Sequence, residues 1–164
     1  MNPSLKILLP ILLFTKFSLC SAYTSLFVSD NHQPDSLKTG WYFVVNSNGY
    51  KIQLEKTNKV YHLNPIPFIS KKDIKSVEVF LIRNEVYGLE MDFNNKATKI
   101  WEVATDKSFK EYSELAFVLN GKLIYTAIAK HGKLSDGKAA IIREDYSKVE
   151  IEQMKSILSE NNSW

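Results

Sequence analysis

The sequence predicts an α+β domain, a mostly antiparallel sheet with two main helices packed on one face, preceded by an N-terminal β-hairpin. Three observations predict it. Short runs of β-branched and aromatic residues recur between turn signals from Trp41 onward. Two segments, around Trp101 and after Ser147, switch to the 3.6-residue period of a helix. The Gly-rich strand-to-helix turn that a dinucleotide or P-loop fold requires is missing. Hairpins interspersed with two helices build an antiparallel sheet covered on one side.

Trp41–Val45 is the first strand and Asn46–Gly49 a turn cluster, and the alternating Tyr50–Leu54 is its returning strand. Val60–Leu63 is a third short extended piece, after which Pro65 and Pro67 hold the chain extended. Ser70 and Asp73 have the spacing to cap a short helical turn. Val77–Ile82 and the alternating Tyr87–Phe93 form an antiparallel pair around a turn at Asn84-Glu85. Asn94 or Asn95 caps the first main helix. Its apolar face is Ala97, Ile100, Trp101 and Ala104, and it ends near Ala104-Thr105.

Leu115–Leu119 is a buried strand. It turns at Asn120-Gly121, the pair suited to a two-residue hairpin whose central positions both need positive φ. Lys122–Ala127 returns, Gly132–Lys138 is a loop and Ala139–Ile142 a short strand. Ser147 and Glu150 make a capping box for the last helix, with Ile151, Met154 and Leu158 on its apolar face. Trp41 and Trp101 are read as core residues.

The N-terminus reads as an export signal over residues 1–22. Lys6 precedes the apolar run Ile7–Phe14, and Cys20-Ser21-Ala22 offers small residues for cleavage after Ala22. The run is too short to span a bilayer, which takes about 20 apolar residues, so no transmembrane segment is expected in the mature chain. Cys20 offers a second processing route, lipid modification and a membrane tether. Residues 23–39 read as a flexible lead-in and 40–160 as the domain.

Composition narrows the function. The chain has 164 residues with 21 Lys and Arg against 18 Asp and Glu, and residues 1–22 hold two of the lysines and no acid. The mature charge of +1 carries no basic stripe. Lys51, Lys56 and Lys59 near Tyr50 and Tyr61 are interrupted by Glu55, so no nucleic-acid partner is expected. Cys20 is the only cysteine, so the mature domain has no thiol for a disulfide, a nucleophile or a zinc site.

His32, His62 and His131 have no metal-ligand spacing, and no Gly-x-Ser-x-Gly elbow occurs. Glu90 and Asp92, two apart on one strand, read as the solvated face of a sheet. Catalytic, cofactor-binding and metal residues are therefore all expected to be none, no cofactor is expected, and the binding residues stay unknown.

Several motifs together resemble a known family. Ala116–Ile124 resembles the hairpin of the SecD periplasmic head subdomain, in which Ala, apolar residues, Asn or Asp, Gly, Lys and further apolar residues follow in order. Leu89–Phe93 with the helix to Thr105 resembles the strand and helix before it, and Tyr146–Glu150 the turn into the closing helix. Thr39–Tyr42, Lys51–Leu54 and Tyr61–Ile69 resemble small stand-alone SecD-head-like proteins of bacterial envelopes.

The resemblance covers about Thr39 to Leu158. It implies an α+β head without catalytic residues, in the periplasm or cell envelope, that contacts exported polypeptide or envelope proteins. Two other readings stay open: a structural or immunity-type partner protein, and an enzyme built around His62 and the Pro65/Pro67 loop. In this chain Tyr125–Ile128 stands where the family commonly has a proline.

Overall fold

The computed structural model describes residues 35–160; the segment 1–22 read as an export signal, with Cys20, together with His32, most of the segment read as a lead-in and the C-terminal tail, lies outside them. The elements are β1 (Gly40–Val45), β2 (Tyr50–Gln53), β3 (Val60–Leu63), β4 (Ile69–Ser70), β5 (Ile74–Arg83), β6 (Val86–Phe93), α1 (Asn95–Glu111), β7 (Leu115–Leu119), β8 (Lys122–Ala127), β9 (Lys138–Ile142) and α2 (Lys148–Ser159). The α+β class and the antiparallel pairing of the named strands are as the sequence predicts. The strands divide between two sheets: one in the order β2-β3-β1-β7-β8 with β4 also paired to β1, the other in the order β5-β6-β9.

Tyr50–Gln53 does not return along β1. β3 lies between them, pairing Tyr50 with Leu63 on one side and Val44 with Leu63 on the other. β3 and β4 thus follow one another along the same side of β1. The proline segment bridges them without breaking the ladder, because the donors are Asn64 N–H to Phe43 O (3.0 Å) and Phe68 N–H to Trp41 O (2.9 Å). Pro65 and Pro67, which have no N–H, fall between these two donors. Gly40 is fixed by this close approach, since a Cβ there would sit 2.3 Å from the carbonyl oxygen of Ile69.

The larger sheet curls until its two ends meet. Leu54 bridges Leu123 in parallel, and Glu55 N–H donates to Leu123 O at 2.9 Å. Curling buries both faces of β7, whose five residues are all buried. Leu115, Phe117 and Leu119 enter one core while Ala116 and Val118 enter another, the period-two alternation of a strand between two apolar layers. The second core lies inside the curl and gathers Tyr42, Leu54, Leu63 and Leu123. Leu37 joins it at 2 % exposure, so packing begins upstream of Gly40. Tyr42 donates its hydroxyl to Lys38 O at 2.6 Å, and burial pushes its pKa up to about 12.

The main core joins both sheets to both helices. Trp41 and Phe117 meet Val77, Leu89, Met91 and Ile141 of the smaller sheet, with Ala97 and Trp101 from α1 and Ile151, Met154 and Leu158 from α2. The rings of Trp41 and Trp101 are 4.9 Å apart edge to face, and Trp41 also lies 5.2 Å from Phe117. Both tryptophans are core residues, as expected from the sequence.

Asn94 caps α1, its Oδ1 accepting from Ala97 N–H at 2.9 Å. The helix does not end near Ala104-Thr105 but runs on to Glu111. Its added turns are mostly polar, which hid them from an apolar-period reading. They are held by Lys110–Asp106 (2.7 Å) and Lys107–Glu111 (3.9 Å) pairs one turn apart, and by Ser108 Oγ donating to Ser113 O at 2.6 Å. Tyr112 closes the helix in the left-handed region at φ 52°. The Asn120-Gly121 turn has φ 47° and 79°, as expected. It is also tied down, because Asn120 N–H donates to Thr39 Oγ1 at 3.0 Å and Thr39 Oγ1 donates to Asn120 Oδ1 at 3.2 Å.

Candidate functional site

The chemically suggestive residues do not converge. His62 lies on β3 opposite Val45 and Lys51, and His131 is exposed in the loop before β9. Among the described residues no group of three His, Cys, Asp or Glu side chains is placed to hold a metal. Glu90 and Asp92 share the solvated face of β6 and both pair with Lys138, Asp92 at 3.5 Å. Ser76 donates to Asp92 Oδ2 at 2.7 Å, and this bond, helped by Lys138, holds Asp92 below the usual carboxylate range. Two carboxylates held on one lysine make a surface ion-pair cluster. Ser147 is a cap: its N–H and hydroxyl donate to Glu150 Oε2 at 2.8 and 2.9 Å, and its Oγ accepts from Glu150 N–H at 3.3 Å.

A polar cluster forms where four segments meet beneath the Asn120-Gly121 hairpin. Tyr146 is buried, with Lys56 4.3 Å and Arg143 4.9 Å from its ring centre. Its hydroxyl donates to Glu55 Oε2 at 3.0 Å, and burial first, then Glu55, pushes its pKa upward. Lys56 reaches Glu150 on α2 at 2.6 Å and Asp145 O at 2.7 Å. Arg143 donates to Ile124 O at 2.7 Å and Glu55 O at 3.0 Å, and also pairs with Asp145. Lys56 is thereby committed within the fold rather than presented to a phosphate. A groove of about 340 Å³ runs beside the cluster, with Leu119, Ile124, Met154 and Ile157 in its walls and Lys122 and Gln153 at its edge. Every charge in the cluster has a partner, so its work is to fasten the curled sheet to α2.

Glu150 makes this cluster sensitive to acid. The Lys56 ammonium, then the Ser147 donors, pull its carboxyl from the ordinary value down to about 2. A carboxylate whose pKa falls on folding stabilises the fold above its unfolded pKa and loses that effect as pH drops through the folded value. Glu150→Gln is therefore expected to lower the melting temperature at neutral pH, with the gap from the parent closing as pH falls from about 4 toward 2. Paired thermal melts across that range check it. A gap that stays constant would show that the charge contributes nothing.

The smaller sheet ends in an edge on either side among the described residues. β5 is ten residues long and, among the described residues, pairs only with β6, and β9 is the opposite edge. Register shifts at Ile74/Ser76 and Leu81/Arg83 leave Ser76–Leu81 as the regular stretch, with Val77–Leu81 within it. Along it Val77 and Val79 face the core, Glu78 faces water, and the chain then leaves the core with Leu81 61 % and Ile82 37 % exposed. The hairpin closes on Asn84 and Glu85, both at positive φ. On the outer face Phe80 lies flat against Gly88, where a Cβ would come within 2.6 Å of the ring. The result is a strand edge that no described strand pairs along Val77–Leu81, flanked by exposed apolar side chains. Neither signal was readable in the sequence, because whether a strand lies at an edge depends on which distant strands pair.

No helix among the described residues is long and apolar enough to cross a membrane. Neither a protein-family model nor a curated protein matches the sequence. Solved structures do match the fold. A structure of SecDF, described as a membrane component that enhances protein export, aligns with a TM-score of 0.56 at 13% identity, covering 75% of this chain and 63% of that one. SecDF in its super-membrane-facing form aligns with a TM-score of 0.54 at 14% identity, covering 75% of this chain and 19% of that one. This chain thus spans less than two thirds of either. The SecD-like fold read from the sequence motifs is the fold these structures share with it.

Proposed function

We propose that this SecD-like fold serves as a non-enzymatic binding module outside the cytoplasm, taking an extended polypeptide along the Val77–Leu81 edge of β5, which no described strand pairs. The observation that carries the proposal is the Val77–Leu81 edge with Leu81 and Ile82 exposed beside it. Edge pairing suits a partner of varied sequence, since main-chain hydrogen bonds give affinity and exposed apolar side chains add grip without selecting one sequence. Lys75, Glu78 and Arg83 on the same strand limit uncontrolled self-pairing, the usual hazard of an open edge. The extracytoplasmic setting rests on the charged, apolar, small-residue order of residues 1–22, and the polypeptide partner is supported by the likeness to a component that enhances protein export.

Titration of a fluorescently labelled, permanently unfolded polypeptide into the mature domain tests the proposal through anisotropy. Saturable binding that folded competitor does not displace is expected. Absence of binding up to the highest soluble concentration would overturn it.

A further inference from the structure

A second feature is independent of the β5 edge. Lys96, Lys99, Val103, Lys107 and Lys110 all lie on α1 and all are exposed. Their spacing of three and four residues puts them within about 80° of one another around the helix axis, on the side opposite the buried Ala97, Trp101, Ala104 and Ser108. The stripe runs about 20 Å along the helix. In the linear sequence these lysines are interspersed with Glu102, Asp106 and Glu111, so no stripe shows there; winding the helix moves the acids to its flanks.

The charge of the stripe is only partly neutralised within the fold. Lys110 pairs with Asp106 at 2.7 Å, and Lys107 lies 3.9 Å from Glu111 and 5.1 Å from the centre of the Phe43 ring. Glu102 is held by Lys133, from the loop before β9, at 2.5 Å. Lys96 and Lys99 have no carboxylate partner among the described residues. Counting Lys133, α1 carries five lysines against three acids, and the line facing away from the core holds none of the acids.

We propose that this face of α1 docks the domain on an anionic lipid bilayer. A flat surface touches a projecting helix along one line, and that line holds four lysines, one valine and no acid. A partner that wrapped around the helix would also meet Glu102, Asp106 and Glu111 on the flanks. Lysine stems lie along an apolar boundary while their ammonium groups reach the headgroup phosphates. Val103, 69 % exposed at the middle of the line, is placed to enter that boundary. Each lysine at an anionic surface is worth roughly fivefold in affinity.

Co-sedimentation of the full chain with phosphatidylcholine vesicles, with and without about 30 % phosphatidylglycerol, tests it. Binding through the apolar run Ile7–Phe14 is common to the parent and every variant, so the gain on adding phosphatidylglycerol is what is compared. Lys96→Glu with Lys99→Glu is expected to cut that gain at least tenfold, on the order of what reversing two such charges removes. The pair should melt no lower than the parent, because neither lysine has a carboxylate partner among the described residues and an acid is favoured in the first turn. Lys51→Glu with Lys59→Glu makes the same change of charge on β2 and just before β3, and should leave the gain within about twofold, since salt screens distant charges. No gain with the parent, or an equal loss from both pairs, would overturn the proposal. So would tighter binding of the parent to polyglutamate at equal charge, which would make the occupant an acidic polypeptide.

Discussion

Trp41→Ala is expected to cost about 3–5 kcal/mol, the largest loss of any single substitution in this domain. Trp41 sits where the architecture is joined. It lies on β1, pairs with both Phe117 of β7 and Ile69 of β4, and touches the rings of Trp101, Phe117 and Tyr125. Truncation would open a void between the larger sheet and α1 that neither could close without losing its own packing. Small domains hold only about 5–15 kcal/mol in all, so the variant should be largely unfolded at moderate urea. Trp41→Phe is the informative companion. It keeps an aromatic ring and removes an N–H with no acceptor, so it should cost under about 2 kcal/mol. Urea titrations of both variants check this, and a loss for alanine no greater than for phenylalanine would show that the ring cluster is not the joint between sheet and helix.

The second large effect concerns binding. Leu81→Lys with Ile82→Lys is expected to weaken unfolded-polypeptide binding at least tenfold, about 1.4 kcal/mol. Lysine beside an edge is how natural sheets repel added strands, and the pair also removes the apolar contact that would flank the incoming chain. Stability should change by no more than about 0.5 kcal/mol, because both side chains are exposed and outside the core. The same pair of measurements on Ile142→Lys, at the exposed end of β9, separates the two edges. Loss of binding there with none at β5 would move the site to the other side of the sheet.

Much of this was legible because it is local. The Ser147/Glu150 box, the Asn94 cap, the Asn120-Gly121 turn and the Ala97/Trp101/Ala104 face each lie within a few residues, where side chain and backbone fix one another. Leu115–Leu119 was readable as buried because it is apolar throughout, though not that its two faces enter different cores. What was not legible is non-local. The place of β3 between β1 and β2, the tie from Thr39 to Asn120 and the bond from Tyr146 to Glu55 join residues from about 20 to 91 positions apart. Periodicity carries no information on which strand lies beside which. The end of α1 was missed for another reason: its last turns are stabilised by charge pairs and Ser108, not by an apolar stripe. The β5 edge is hidden for the same reason as the strand order, since an edge is defined by the neighbour a strand lacks.

Amide hydrogen exchange on the mature domain, with and without an unfolded polypeptide, addresses the central claim most directly. A strand added to β5 would hydrogen-bond alternate residues of Val77–Leu81 on the side facing away from β6. Those amides should exchange more slowly when polypeptide is present, while β9 and the Asn120-Gly121 hairpin remain unchanged. Unaltered exchange along Val77–Leu81 under conditions where the polypeptide is bound would contradict the proposal that β5 receives it.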